Sequence, residues 1–156
     1  MMTDTSPPAD RSADADPFDL RRFVAAQAPV IDDVIAELTA GRKRTHWMWF
    51  VFPQIAGLGF SPTAQFYAIA SRAEALAYWR HPLLGPRLAR CAALVRDARA
   101  HGVQAIFGSP DDLKLRSSMT LFAAVAIDEP VFRAVLERYW HGEPDARTLA
   151  LLGSAA

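Results

Sequence analysis

The sequence is poor in cysteine and in lysine, and each scarcity restricts what the protein can be. Cys91 is the only cysteine among 156 residues, so an intramolecular disulfide and a cysteine-based metal site are both excluded. Lys43 and Lys114 are the only lysines, and arginine therefore supplies nearly all of the positive charge. The formal net charge is zero, which argues against the nucleic-acid backbone as the main partner.

Long apolar runs are also missing. No stretch is long enough to span a bilayer, and residues 1–15 are acidic and lack the apolar run of a signal peptide. We therefore expect a cytoplasmic protein with no membrane partner. Residues 1–15 have little to bury and are predicted to form a disordered tail, residues 16–152 one domain, and residues 153–156 a short tail. The sequence leaves a homo-oligomer open.

No hairpin pattern and no internal repeat occurs, whereas helix starts and stops recur along the chain. The sequence thus predicts a mainly α-helical, compact single domain, with room for one or two short extended segments. One candidate for such a segment is Val103–Phe107. Helices are expected to begin near Asp16, Ile31, Ser61, Ser71, Pro86, Asp111, Pro130 and Asp145, and stops are expected at Gly41, near His101 and at Gly142.

Aromatic side chains are concentrated in Thr45–Gln54, just after the basic triplet Arg42–Arg44. This apolar run is too short for its periodicity to separate a buried strand from a helical turn. In a strand, Trp47 and Trp49 would share one face and could stack on a flat ligand, although a plain core explains both rings as well. Gln54, which ends the stretch, and Tyr67, on the following helix, are further candidate ligand contacts.

Two glycines, Gly57 and Gly59, precede the predicted helix start at Ser61. Backbone amides in such a loop and at the helix start can hold an anion, so these three residues are candidate ligand-binding residues. The spacing matches neither a dinucleotide fingerprint nor a Walker sequence. A turn without any ligand is the commoner use of two such glycines.

Polar residues line one face of the helix predicted after Pro110. Asp111, Lys114 and Ser118 fall at i, i+3 and i+7, and Ser117 flanks that row. In an enzyme, Lys114 would activate a serine or Asp111 would accept a proton, while Ser117 would contact the ligand. A surface ion pair with inward-facing serines explains the same residues without catalysis.

The four histidines have no spacing that suits a metal ion. His46 differs from the others because it adjoins the aromatic stretch and the basic triplet. A histidine beside a pocket can act as a general acid or base, so His46 is the fourth candidate catalytic residue. Neither a metal nor a cofactor is expected.

Several motifs together resemble one bacterial family. They are Arg42–Gln54, Gly57–Gly59, His81–Gly85, Phe107–Leu115 and Ser117–Phe122. Over Asp16 to Leu152 the chain is similar to the domain-of-unknown-function family 1810, whose members are often labelled calpastatin. The resemblance implies a mainly α-helical fold and no established activity. A calpastatin-type inhibitor is an extended repeat protein, whereas 51% of this unrepeated chain is hydrophobic, so that label does not fit.

Two hypotheses of function follow. In the first, a pocket with an aromatic wall and a polar wall binds a small polar molecule. By analogy with N-glycosidases, the domain would then be a hydrolase that acts on a nucleotide or an ADP-ribose-like compound. In the second, Trp47, Trp49 and Arg42–Arg44 form a patch that binds another protein without catalysis. An enclosed cleft joining His46 to Lys114 would favour the first, and a flat exposed aromatic patch the second. Whether the protein is an enzyme stays open.

Overall fold

Helices follow one another along residues 15–154, the part of the chain that this computed structural model describes. In that range there are ten helices and no strand, so the predicted mainly α-helical class is confirmed. The helices are α1 (Arg21–Gln27), α2 (Ile31–Thr39), α3 (Met48–Val51), α4 (Pro62–Phe66), α5 (Arg72–Arg80), α6 (Leu84–Asp97), α7 (Val103–Phe107), α8 (Asp111–Val125), α9 (Val131–Trp140) and α10 (Ala146–Ser154).

The predicted tails fall largely outside the described residues. Of residues 1–15, only Ala15 is described, so the disordered tail stays a prediction. At the other end, α10 includes residues 153 and 154, while residues 155 and 156 are not described. No helix between residues 15 and 154 has the length and apolar character needed to cross a membrane.

Three of the predicted helix caps form as expected. A side-chain oxygen of each cap accepts a hydrogen bond from the backbone amide three residues later, which satisfies a donor that the helix leaves unpaired. These bonds join Ser61 to Ala64 at 3.1 Å, Ser71 to Glu74 at 3.1 Å and Asp145 to Thr148 at 3.0 Å. The start of α4 and the start of α10 are therefore determined by local sequence.

Two helix boundaries differ from the predictions. The first helix begins at Arg21, because the Asp16 carboxylate accepts the amides of Leu20 and Arg21 across an intervening turn. The long α6 begins at Leu84, two residues before Pro86, where the ring nitrogen of His81 accepts the Leu84 amide at 3.3 Å.

The predicted end of α6 near His101 is also wrong, since the helix ends at Asp97. Side chains of α9 donate hydrogen bonds to the last carbonyls of α6. The Arg138 guanidinium donates to the carbonyl of Arg96 at 2.6 Å, and the Tyr139 hydroxyl donates to that of Val95 at 2.7 Å. Because these carbonyls are satisfied from another helix, α6 needs no further turn.

The ambiguous segments are both helical. The stretch Thr45–Gln54 contains one helical turn, Met48–Val51, and Val103–Phe107 forms a short helix instead of an extended connector. The only extended pairing among residues 15–154 is an isolated parallel bridge between Ile55 and Ile69. Ile69 was expected on the helix after Ser61, but α4 ends at Phe66 and the chain turns back to form this bridge.

The central helix of the fold is α8. It packs against α5, α7, α9 and α10, while α6 contacts α2, α5 and α9, and α1 contacts α3. The predicted stripe of Leu115, Met119, Phe122 and Ala126 is buried, and so are residues on the other sides of α8, including Ser118 and Leu121. The middle of α8 is enclosed on several sides, whereas its first turn reaches solvent at Leu113 and Lys114, and the candidate site lies there.

A buried ion pair joins the first helices to the aromatic region. The Arg22 guanidinium lies 2.8 Å from the Glu74 carboxylate, and their side chains are 10% and 5% exposed. Arg22 also donates to the carbonyls of Phe66 and Ala68. The loop that follows α4 is therefore held by contacts from a helix more than 40 residues earlier in the chain.

Candidate functional site

The first turn of α8 meets the aromatic turn α3 through Lys114 and Trp49. The ammonium of Lys114 lies 5.2 Å from the centroid of the Trp49 ring, which is within the range of a cation–π contact. Trp49 is only half-buried, because the helical turn directs it away from the core. This pair marks the boundary between two clefts in the protein surface.

The first cleft, here called the polar cleft, is open to solvent and has a volume of about 530 Å³. Its walls come from α3, the loop Gly57–Gly59 (here called the glycine loop), α4, α8 and α10. These elements are distant from one another in sequence. It is lined by Trp49, Gln54, Leu58, Gly59, Phe60, Ser61, Ala64, Pro110, Leu113, Lys114, Ser117, Asp145 and Arg147. Six predicted site residues thus meet there: Trp49, Gln54, Gly59, Ser61, Lys114 and Ser117.

Two cations and one carboxylate line the polar cleft. The cations are Lys114, on α8, and Arg147, at the start of α10, which donates to the Gly57 carbonyl at 3.4 Å. The carboxylate is that of Asp145, whose Oδ2 accepts from the Thr148 hydroxyl, the Thr148 amide and the Ser117 hydroxyl. The residues lining the cleft therefore carry two positive charges and one negative charge, and the negative one is hydrogen-bonded to Ser117 and Thr148.

The second cleft, here called the aromatic cleft, has a volume of about 520 Å³ and lies on the other side of Trp49. It is lined by Trp49, Phe50, Pro62, Thr63, Phe66 and Tyr67. A small cavity lined in part by Trp49, Gln54 and Tyr67 lies between the two clefts and shares residues with both. The predicted contact Tyr67 thus belongs to the aromatic side.

Large apolar side chains stand exposed around both clefts. Phe60 is 74% exposed, Phe66 56% and Leu113 57%. Phe60 and Leu113 line the polar cleft, and Phe66 lines the aromatic cleft. Concentrated apolar exposure of this kind marks binding surfaces more often than scattered single residues do.

Asp111 lies behind Lys114 and contacts both lysines of the chain. One carboxylate oxygen lies 3.0 Å from the ammonium of Lys43, and the other lies 3.5 Å from that of Lys114. Lys43 also lies over a tryptophan ring, since its ammonium is 5.1 Å from the Trp47 centroid. Asp111 itself is not among the residues that line the polar cleft.

The two serines of α8 differ in access. Ser117 lines the polar cleft, and its hydroxyl donates to the Leu113 carbonyl and to Asp145. Ser118 is wholly buried, and its hydroxyl has no hydrogen-bond partner within the described part of the chain. Ser118 therefore has neither the access nor the base that a nucleophilic serine requires, whereas Ser117 lies beside the Asp145 carboxylate but is only 7% exposed.

The remaining predicted residues lie away from the clefts. Trp47 is 1% exposed and packs in the core, where its ring nitrogen donates to Glu37 at 3.0 Å. His46 is exposed and is not among the residues lining the polar cleft. Gly57 has a φ of +106°, and a Cβ atom there would lie 3.2 Å from the Leu151 side chain. The cleft that contains Lys114 therefore does not extend to His46.

Sequence reasoning missed Arg147, Phe60 and Leu113 as site residues. Arg147 lies two residues after the predicted cap Asp145, in the first turn of α10. That position next to a predicted cap is the signal in the sequence that could have identified it. Phe60 adjoins the loop that was singled out. Leu113 follows the acidic start of α8 and interrupts its polar face. Only the approach of α10 to the loop makes these three residues neighbours.

Titratable groups with shifted pKa values lie outside the polar cleft. Burial raises the pKa of the Cys91 thiol to about 12, so this buried cysteine is not a nucleophile. Partial burial raises the pKa of Glu37, but hydrogen bonds from Arg44, Thr45 and Trp47 outweigh it and lower the pKa to about 2. Among residues 15–154 no group of three His, Cys, Asp or Glu side chains suits a metal ion.

The comparisons with known proteins give a family and a related structure. No curated protein is significantly similar to the chain. A crystal structure of the conserved hypothetical protein Rv1873 from Mycobacterium tuberculosis is 58% identical, with a TM-score of 0.87, and the match covers 88% of this chain and 99% of that one. The model of the family "Protein of unknown function (DUF1810)" matches residues 17–152. The chain therefore belongs to family DUF1810, as its motifs had indicated.

Proposed function

We propose that the polar and aromatic clefts together bind one small ligand that carries a planar ring and an anionic group, as a nucleotide or an ADP-ribose-like compound does. The observation that carries the proposal is the position of Trp49. Its ring belongs to both clefts and lies beneath the Lys114 ammonium at 5.2 Å, so a ring and an anion bound there would be neighbours.

The aromatic cleft suits the planar part of such a ligand. Aromatic faces stack on flat heterocycles, and Phe66 and Tyr67 already pack edge to face at 4.8 Å beside Trp49. The 56% exposure of Phe66 leaves part of its surface without a partner among residues 15–154. A ligand ring would cover that surface.

The polar cleft suits the anionic part. Lys114 and Arg147 supply two positive charges, and Gln54 and Ser61 add groups that can donate hydrogen bonds. The volume of about 530 Å³ lies in the range of small-molecule sites. A ribose phosphate or a diphosphate is of suitable size and charge.

A hydrolase activity would use a different carboxylate from the one expected. Asp111 faces two ammonium groups and does not line the polar cleft, whereas Asp145 does. Within the polar cleft Asp145 is the carboxylate in position to take a proton from water. The proposal is therefore a binding function first, with hydrolysis by way of Asp145 as its enzymatic extension.

Calorimetric titration with AMP, ADP, ADP-ribose and uncharged adenosine tests the proposal. We expect the anions to bind more tightly than adenosine, and Lys114→Met and Arg147→Met each to weaken AMP binding by about tenfold, the loss of one close charge pair. Arg99→Met is the matched control, because Arg99 is exposed and lies outside both clefts. Chromatography of the same mixtures detects hydrolysis, which Asp145→Asn should abolish.

Equal affinity for adenosine and AMP would contradict the role of the cations. Absence of binding by all four compounds would contradict the ligand proposal itself. In that case the exposed Phe60, Phe66 and Leu113 favour the second candidate, a module that binds another protein through the rim of the clefts.

A further inference from the structure

The only two lysines of the chain converge on one carboxylate. Lys43 is 71 positions before Lys114, yet their ammonium groups lie 3.0 Å and 3.5 Å from the two oxygens of Asp111. The side chain of Lys43 is 8% exposed, that of Asp111 21% and that of Lys114 28%. The charge is therefore most buried at Lys43 and most accessible at Lys114, beside the polar cleft.

The buried position of Lys43 calls for an explanation. Burial of an ammonium is costly, and Lys43 is replaceable as a partner because Asp111 already has Lys114 one helical turn away. If Lys43 were absent, Asp111 and Lys114 would form an ordinary i, i+3 ion pair with no net charge. With Lys43 present, the three groups carry one positive charge, and Lys114 is the member that reaches solvent.

We propose that Lys43 determines the anion selectivity of the polar cleft, acting as a positioning residue that never touches the ligand. This inference rests on the proposed ligand-binding function. By pairing with Asp111, Lys43 offsets the carboxylate that Lys114 also contacts, so the three groups keep one positive charge for an anion at Lys114. Together with Arg147, which lines the same cleft, Lys114 then matches a phosphate monoester or phosphoanhydride better than a neutral nucleoside or a sugar.

The neighbours of Lys43 support this role. Its ammonium is held from one side by Asp111 and lies 5.1 Å from the Trp47 ring, and its backbone amide donates to the Ile106 carbonyl at 2.7 Å. The side chain is thus fixed in place by core residues. A fixed charge behind the cleft acts on the ligand without any rearrangement on binding.

A purely structural role for Lys43 makes a different prediction. If the lysine only stabilised the fold, its replacement would lower the melting temperature and weaken AMP and adenosine alike. If it sets the charge of the cleft, replacement weakens AMP and leaves adenosine unchanged. Removal of the Asp111 charge as well would then restore AMP binding, because the site would again carry one net positive charge, that of Lys114.

The experiment compares wild type, Lys43→Met, Lys43→Arg and the double variant Lys43→Met/Asp111→Asn, with AMP, pyrophosphate and adenosine as probes. We expect about tenfold weaker AMP and pyrophosphate binding in Lys43→Met, near wild-type binding in Lys43→Arg, and recovery to within about threefold of wild type in the double variant. The dependence of affinity on salt should fall in Lys43→Met and return in the double variant. Circular dichroism checks that each variant is folded.

Three outcomes would overturn the inference. Wild-type AMP affinity in Lys43→Met would show that the lysine does not act on the cleft. A double variant that binds AMP about tenfold more weakly than wild type would show that the Asp111 charge is not what Lys43 offsets, and this comparison with wild type holds even if the single variant is unstable. Absence of AMP and pyrophosphate binding by wild type would overturn both this inference and the proposed function, whereas the first two outcomes leave the proposed function intact.

Discussion

At the scale of single residues, two tryptophans two positions apart have opposite roles. Residues two apart on a helix lie roughly 200° apart around its axis, so a helical turn at Met48–Val51 separates neighbouring rings that a strand would have put on one face. Trp47 is buried against Glu37, and Trp49 lines both clefts. Trp47 is therefore a core residue, whereas the role of Trp49 as a ligand contact stays a prediction.

Gly85 is a second residue whose identity follows from its position. A Cβ atom there would lie 2.1 Å from the backbone oxygen of Trp79, which cannot move without distorting the end of α5. We expect Gly85→Ala to lower the free energy of unfolding by about 3 kcal/mol, measured by urea denaturation. The matched control is Gly153→Ala in α10, where nothing lies within 4 Å of the added Cβ. Equal stabilities of the two variants would refute the steric argument.

At the scale of elements, helices are joined by side chains that satisfy backbone carbonyls of other elements. Arg138 on α9 caps the end of α6, and Arg147 on α10 reaches the Gly57 carbonyl of the glycine loop. The Thr120 hydroxyl on α8 accepts the amide of Asp145 at 2.8 Å, just before α10. Such contacts determine where helices end and which walls the clefts have.

The pair Arg22–Glu74 gives the prediction for this scale. We expect Arg22→Met to lower the free energy of unfolding by about 3 kcal/mol or more, because it leaves the buried Glu74 carboxylate without its cation. The double variant Arg22→Met/Glu74→Gln should lose less than the sum of the single losses. Arg21→Met is the control, since the Arg21 side chain is 72% exposed and should change stability by less than about 0.5 kcal/mol. Additive losses would contradict the coupling.

At the scale of the whole molecule, the basic triplet and the aromatic stretch are attached to α2 through Glu37. Its carboxylate accepts the amides of Arg44 and Thr45, the Thr45 hydroxyl and the Trp47 ring nitrogen. These bonds need the charged carboxylate and lower its pKa to about 2 despite partial burial. One side chain thus orients the chain that leads from α2 to the candidate site.

Stability should therefore depend on pH through Glu37. Because the folded pKa lies below the ordinary value of 4.5, this contribution is complete above pH 4.5 and is lost as pH falls towards about 2. We expect wild type to lose about 1 kcal/mol more than Glu37→Gln between pH 5 and pH 2.5, after allowance for screening by solvent. Urea denaturation across this range is the measurement. Parallel pH profiles of the two proteins would contradict the prediction.

The sequence by itself determined the helical class and the caps at Ser61, Ser71 and Asp145. These features depend on hydrogen bonds and periodicities within about four residues, which a sequence displays directly. The predicted contacts Gln54, Gly59, Ser61 and Ser117 did come together around one cleft with Trp49 and Lys114.

Only the tertiary structure decided which candidates share a surface. The polar cleft joins residues from α3 to α10, and Arg147 meets the loop at Gly57 across 90 positions of sequence. The same packing buried Ser118, separated His46 from Lys114 and brought Lys43 to Asp111. Contacts between distant segments depend on how helices fill the core together, and no local pattern encodes them.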